Sequence, residues 1–478
     1  MLNFDKLYIG GRWTTPATGE TLTVRSPHDQ TVVGTAPHAA PADVDRAVAA
    51  ARTAFDEGPW PRMSPEERQT VIARLTKLHA ARADELAALV TAENGSPSWF
   101  TGWTHHTGVP EQNDAYLRAA AALDWEAQVG STGTARTLLR REPVGVVAAI
   151  IPWNAPHQSA LVKLVPALLA GCTVILKASP ETALDALALA QVFDEANLPE
   201  GVVSVLPAGR ETSEYLVAHP DVDKIAFTGS TAAGRRIASI AGEQLKRVSL
   251  ELGGKSASIV LEDADLESTV AGLKTLSLGN NAESCVAHTR ILVPRTRYEE
   301  FVAALKTMME EIVVGDPAAP ETFLGPMVRP DQLERVRDYI RIGLDEGARL
   351  VTGGLAPIDG LEAGNYVRPT LFADVDNSMR IAREEVFGPV LVVIPFDDEA
   401  EAVRIANDSE YGLGGGVWGA DPEHALEVAR LVRTGWMTVN GAPATYDGSF
   451  GGYKNSGIGR EFGAVGLSQY LEYKTIGI

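Results

Sequence analysis

Apolar positions along the chain recur with two periods. Over residues 43–55, Val44, Ala47, Val48, Ala51 and Phe55 fall at helical spacing. A second helix is predicted to open at Ser64-Pro65-Glu66-Glu67, where serine as N-cap, proline at the first position and glutamate at the third make a capping box. Leu75, Leu78, Leu86 and Leu89 are expected to supply its buried stripe. From about residue 144 short apolar runs alternate with helical patterns. Strands are predicted at Val146–Ile151, Thr173–Lys177, Val202–Leu206, Lys224–Phe227 and Arg247–Leu250. Helices are predicted between them, at Leu161–Leu169, Thr182–Ala196, Glu211–Ala218 and Thr231–Ile240. Strands apolar on both faces and joined by helical crossovers indicate a doubly wound parallel sheet. Ligands of such sheets bind at the carboxyl ends of the strands. Residues 256–435 repeat the alternation less regularly, as expected of a second α/β domain. The stretch Gln469–Lys474 reads as a terminal strand, pairing either with another subunit or within the chain.

Composition narrows the function. The chain has 478 residues, 45% hydrophobic and 22% charged, with 62 acidic against 42 basic side chains and a formal charge of −20. That charge disfavours nucleic acid and anionic lipid as general partners. The longest uncharged apolar stretch, roughly Leu164–Leu176, falls short of the about 20 residues a spanning helix needs. The first residues, MLNFDKLYIGGRW, lack the pattern of a secretory signal, and a cytoplasmic location is expected. Two cysteines, Cys172 and Cys285, cannot build a disulfide framework or a cysteine-rich metal site. No metal is expected.

The glycine motifs differ in value. Gly414, Gly416 and Gly419 match G-x-G-x-x-G but lie inside LGGGVWGA, which itself reads as a strand. Gly254-Lys255-Ser256 resembles the end of a P-loop, yet Ser249 stands where its first glycine belongs. Phe227-Thr228-Gly229-Ser230 is better placed, because a strand runs there into a helix start that can hold a pyrophosphate through free N–H groups and the helix dipole. Cys172 sits in the apolar run ALLAGCTVIL and reads as core. Cys285, in the polar stretch Asn280–Cys285, is the thiol free for catalysis.

Six motifs occur in order: Pro152-Trp153-Asn154, Phe227–Ser230, Glu251-Leu252-Gly253-Gly254-Lys255, Cys285, Glu385-Val386-Phe387-Gly388-Pro389 and Phe450-Gly451-Gly452-Tyr453-Lys454. Together they resemble the aldehyde dehydrogenase superfamily over nearly the whole chain. The resemblance implies Cys285 as nucleophile, Asn154 and the Cys285 N–H as oxyanion donors, and Glu251 as the base that hydrolyses the thioester. It implies Trp153, Lys177, Ser179, Gly229, Ser230, Glu385 and Phe387 around NAD, with Glu461 and Lys163 as proton-relay candidates. It further implies a division into a dinucleotide-binding domain (1–124 and 144–251), a catalytic domain (252–440) and a small β oligomerisation element (125–143 and 460–478). A homodimer or homotetramer is expected.

Two departures stand out. NAD-preferring relatives often carry glutamate three residues after the lysine, where this chain has Pro180, so NADP is expected to be accepted beside NAD. Ser179 as N-cap and Pro180 as first helical residue would also account for the pair. Ala155, Ser159 and Val162 replace larger side chains of many small-aldehyde relatives, which points to a bulky hydrophobic aldehyde unless Trp99, Phe100, Trp103 and Trp436 refill the space. His288, three residues after the nucleophile, is expected to be a solvated loop residue. Two other readings stay open: a coenzyme A-acylating semialdehyde dehydrogenase, which typically lacks a glutamate at position 251, and a catalytically idle binding or structural protein on the same fold.

Overall fold

The computed structural model describes all 478 residues, which build two large sheets and two small ones. Five parallel strands form the centre of the first large sheet, in the spatial order Arg247–Glu251, Lys224–Thr228, Val146–Ile150, Thr173–Ala178, Val203–Pro207. Antiparallel strands close both edges: Gly457–Ile458 on one side, Leu7–Ile9 and then Arg12–Thr14 on the other. The edge strand Gly457–Ile458 comes from segment 441–459, which the sequence-based division leaves unassigned.

Alternation within the central strands explains why they read as continuous apolar runs. Val147, Ala149, Val174, Leu176, Val203 and Val205 enter one core. Val146, Ala148, Ile150, Ile175, Leu206, Ile225 and Phe227 enter the other, on the opposite face. Full burial of each larger apolar side chain contributes about 1.5–3 kcal/mol. The helix Pro156–Ala170 is buried nearly throughout and packs on the first of these cores. Chain order reverses between Val146–Ile150 and Lys224–Thr228, so the crevice beyond Ile150 and Thr228 is the sheet's topological switch point.

The second large sheet runs Arg349–Thr352, Thr370–Ala373, Val390–Phe396, Arg290–Pro294, Ala257–Val260, Gly415–Trp418, Thr438–Val439, parallel except at the first edge. Gly415–Trp418 is thus a strand, as LGGGVWGA reads. Its glycines allow close packing: a Cβ on Gly416 would lie 2.8 Å from Thr438 Oγ1. Cys285 directly precedes the strand Arg290–Pro294, and Glu385 and Phe387 precede Val390–Phe396. The strand-leading segments of this sheet therefore approach the strand-trailing segments of the first.

Two sequence expectations change, and one open alternative is decided. The stripe from Leu75 to Leu89 belongs to two helices, Pro65–Ala81 and Ala83–Asn94, broken at Arg82, whose guanidinium reaches Gln191 Oε1 (2.8 Å). The capping box at Ser64 forms as expected, with Glu67 N–H donating to Ser64 Oγ and Ser64 N–H donating to Glu67 Oε2 (2.7 Å). His288 is fully buried, with Nδ1 2.8 Å from Ser258 Oγ, because the following strand carries it beneath Gly416. The terminal strand spans Leu471–Gly477 and pairs within the chain, antiparallel to Ala135–Pro143, which pairs in turn with Glu126–Thr132. No helix is long and apolar enough to cross a membrane.

Candidate active site

Glu251 ends a central strand of the first sheet and is 3% exposed. Its Oε2 has no hydrogen-bond partner. Burial, reinforced by the Glu461 carboxylate, holds its carboxyl well above the usual range, with Lys163 and Arg460 acting the other way. Glycine is required opposite it. Gly451 has φ +141°, and a Cβ there would stand 2.5 Å from Glu251 Oε1. Backbone hydrogen bonding joins the base to the predicted pyrophosphate turn, since Gly229 N–H donates to the Glu251 carbonyl (3.0 Å).

Cys285 is half-buried. Burial pushes its thiol up to about 12, and the carboxylates of Glu385, Glu251 and Glu461 add to the shift. The chain reaches Cys285 through Asn280, Asn281 and Ala282, all at positive φ (54°, 61° and 55°). Asparagine tolerates the left-handed region and alanine does not, so the approach to the thiol is a strained turn. Asn281 holds it: Nδ2 donates to the Gly95 and Pro326 carbonyls (3.0 and 3.1 Å), and Oδ1 accepts from Gly325 N–H (2.7 Å). On the far side, a Cβ on Gly254 would lie 2.3 Å from the Cys285 carbonyl oxygen, so only glycine fits.

Asn154 leads out of the strand Val146–Ile150 at the switch point. Its Nδ2 donates to the Glu283 carbonyl (2.8 Å), and its own carbonyl accepts from Asn280 Nδ2 (2.7 Å). The amide is thereby fixed beside the nucleophile loop. Lys163, buried in the next helix, donates to Thr228 Oγ1 (2.7 Å) and to Glu461 Oε1. The two relay candidates are therefore bonded to each other.

The remaining predicted residues collect around the same crevice. Trp153 and Phe387 meet edge to face with centroids 5.6 Å apart. Glu385 Oε1 accepts from Gly254 N–H (2.9 Å), and burial raises its carboxyl to about 6. Ser230 caps the helix Thr231–Glu243, its hydroxyl accepting from Ala233 N–H, and leaves that N-terminus facing the crevice. A Cβ on Gly229 would strike the Phe227 ring at 2.5 Å. Lys177 is 8% exposed and lowered to about 8 by burial, with the Glu181 carboxylate opposing that shift. Ser179 sits at an N-cap position as predicted, but its hydroxyl donates to Glu181 Oε2 and leaves the backbone uncapped.

Glu181 is a residue the sequence reading passed over. Arg329 donates to its Oε1 (2.8 Å) while lying over the Trp153 ring at 5.9 Å. Position alone, four residues after Lys177, was the available signal. A glycine-only cradle at a helix N-terminus, a buried lysine and a paired aromatic wall fit a dinucleotide with its pyrophosphate at Gly229–Ser230.

On the side of the helix Pro156–Ala170, Ala155 and Ser159 are half-buried and Val162 is buried. Tyr446, Phe462, Phe450 and Trp436 form an aromatic ladder with successive centroids 4.9, 5.3 and 6.5 Å apart. Gln158 Nε2 donates to the Tyr446 hydroxyl (3.1 Å) and ties the ladder to that helix. Trp99 is engaged elsewhere, stacked on Phe323 at 5.1 Å with its indole N–H on the Phe323 carbonyl.

Comparison with known proteins agrees with this geometry. The model of the aldehyde dehydrogenase family matches residues 13–476. Geranial dehydrogenase of Castellaniella defragrans is 42% identical over 476 residues, 99% of each chain. An aldehyde dehydrogenase of Mycobacterium tuberculosis complexed with NAD+ superposes with a TM-score of 0.96 at 47% identity, covering 99% of this chain and 98% of that one. A cysteine-to-alanine variant of aldehyde dehydrogenase C from Pseudomonas syringae, complexed with NAD+ and octanal, superposes with a TM-score of 0.93 at 42% identity, covering 99% and 96%. The chain belongs to the aldehyde dehydrogenase family.

Proposed function

We propose that the protein oxidises a bulky hydrophobic aldehyde to the carboxylic acid, with NAD as hydride acceptor and NADP accepted as well. The observation that carries the hydrolytic reading is the buried, unpartnered Glu251 carboxylate beside the Cys285 thiol. Cys285 Sγ attacks the aldehyde carbonyl carbon to form a thiohemiacetal. An amide nitrogen carries two hydrogens, so Asn154 Nδ2 keeps one for the oxyanion while the other stays on Glu283; the Cys285 N–H is the second donor. NAD, when bound, supplies the acceptor for the hydride that converts the thiohemiacetal to a thioester. Glu251 takes a proton from water, which attacks the thioester, and the acid leaves as the thiol is restored. The buried Lys163–Glu461 pair, whose charges act on Glu251, serves as the proton exit.

Lys177, Ser179, Trp153, Gly229, Ser230, Glu385 and Phe387 hold the dinucleotide. Arg329 and Ser179 both engage Glu181, so its charge opposes a 2′-phosphate only weakly. The small residues Ala155 and Ser159, on either side of the Gln158 that bonds the aromatic ladder, favour a long apolar substrate. The geranial-oxidising relative and the octanal-bound neighbour support that class. The chain is read as a dinucleotide-binding domain (1–124 and 144–251), a catalytic domain (252–440) and an oligomerisation element (125–143 and 460–478), the exposed three-stranded sheet of that element being assigned to self-association as a dimer or tetramer. A cytoplasmic location is consistent with two free cysteines.

The test is reduced-cofactor production across aldehydes of two to ten carbons with NAD or NADP, for wild type and Cys285→Ala. Rising kcat/KM with chain length, and loss of turnover with retained dinucleotide binding in the variant, are expected. Preference for acetaldehyde overturns the substrate class; undiminished turnover in Cys285→Ala overturns the mechanism. Acyl-coenzyme A formation outpacing hydrolysis would favour the acylating alternative.

A further inference from the structure

Three histidines that the proposed reaction does not use meet in the interior. His79 lies near the end of the helix Pro65–Ala81, His105 in the π turn Thr104–Gly108, and His157 in the first turn of Pro156–Ala170. Their exposures are 0%, 2% and 1%. One ring nitrogen from each lies within 4.8 Å of the others. We propose that His79, His105 and His157 form a zinc(II)-class metal site, separate from the catalytic cysteine.

The hydrogen bonds behind the rings support this assignment. His105 Nδ1 lies 2.8 Å from the Thr101 carbonyl, which can only accept, so Nδ1 carries the proton and Nε2 presents a lone pair. That Nε2 is buried without a partner. His157 Nε2 lies 3.3 Å from the Asp185 carbonyl and 3.1 Å from Asp185 Oδ2, leaving Nδ1 to face His79 Nε2 at 3.1 Å. An outward N–H on a carbonyl or carboxylate, with the other nitrogen turned inward, is the arrangement that orients metal-binding imidazoles. Asp185 is itself held, because Glu93 accepts the Leu184 and Asp185 N–H groups (2.8 and 2.9 Å).

Hydrogen bonding within the trio leaves it incomplete. The single His79–His157 contact leaves the inward His105 Nε2 bare. A metal would engage all three inward nitrogens at once and set positive charge near the buried Asp185 carboxylate, which lies 3.1 Å from His157 Nε2. Ligand nitrogens at about 2.0–2.1 Å from zinc require side-chain contraction of roughly 1 Å from the spacing seen. A cavity of about 10 Å³ borders His105 and His157 and is also lined by Thr104 and Asn154.

The experiment loads purified full-length protein with cobalt(II) or zinc(II), removes loose metal by gel filtration, and measures retained metal, the cobalt visible spectrum and the melting temperature. Wild type and Cys285→Ala are each expected to retain one equivalent, with the intense visible bands of tetrahedral nitrogen ligation. His105→Gln and His157→Gln should retain less than about a tenth as much, and Asp185→Asn should bind about 10- to 100-fold more weakly. Zinc should raise the melting temperature of wild type and leave that of His105→Gln unchanged. Failure of wild type to retain cobalt, equal retention by His105→Gln, or a sulfur-to-cobalt band that disappears in Cys285→Ala would each overturn the proposal. Should a histidine variant not fold, the wild-type and Cys285→Ala spectra decide alone.

Discussion

Asn154 donates its side-chain amide to the main-chain carbonyl of Glu283 at 2.8 Å, two residues before the nucleophile. One bond therefore joins the trailing loop of the first sheet to the leading loop of the second. Asn154→Ala removes both this tie and the proposed oxyanion donor. Its kcat should fall about 100- to 1,000-fold, the loss typical of one such donor, while dinucleotide affinity measured by fluorescence quenching stays near wild type. A fall below tenfold would remove Asn154 from the oxyanion role.

The Glu251 carboxyl titrates well above the ordinary range through burial and the neighbouring Glu461. A general base works only when deprotonated, so a raised pKa keeps it idle to higher pH. Deacylation should therefore keep accelerating as pH rises beyond the range in which an ordinary carboxyl group titrates, in stopped-flow and steady-state assays. Glu251→Gln should retain a burst of reduced cofactor while steady turnover collapses and loses that dependence. A steady rate unaffected by the substitution would assign hydrolysis to another group.

Gly451 tests the same carboxylate from the other side. A methyl at this position would sit 2.5 Å from Glu251 Oε1 on a backbone of φ +141°. Gly451→Ala should displace the base and slow deacylation more than acylation, read as a larger ratio of burst to steady rate. An unchanged ratio would show that the carboxylate swings freely.

Asn281 makes three buried hydrogen bonds across the strained turn before Cys285. Asn281→Ala leaves two carbonyls and an N–H unsatisfied, a loss of about 3 kcal/mol at roughly 1 kcal/mol each. Urea denaturation should show the lower midpoint, and thiol alkylation should become faster as the turn loosens. Equal stability would mean that water replaces the amide.

Much of this was legible in the sequence. Strands such as Val146–Ile150 and Thr173–Ala178 read as continuous apolar runs because both faces meet helices. The six ordered motifs picked out residues that the fold gathers around one crevice. What escaped depended on contacts between distant segments. The break at Arg82 has no glycine or proline to announce it and is accompanied by a tertiary bond to Gln191. His288 looked like a loop residue until a parallel strand buried it. The histidine trio comes from three segments, none carrying a metal-binding spacing, and Glu181 is defined by Arg329, 148 positions away.

Cys285 and Asn154, the proposed nucleophile and oxyanion donor, ride on opposite sheets, one on a loop entering a strand and the other on a loop leaving one. Their separation is thus set by how the two halves of the molecule sit against each other. A substitution between the sheets that changes this spacing would act on both residues without touching either.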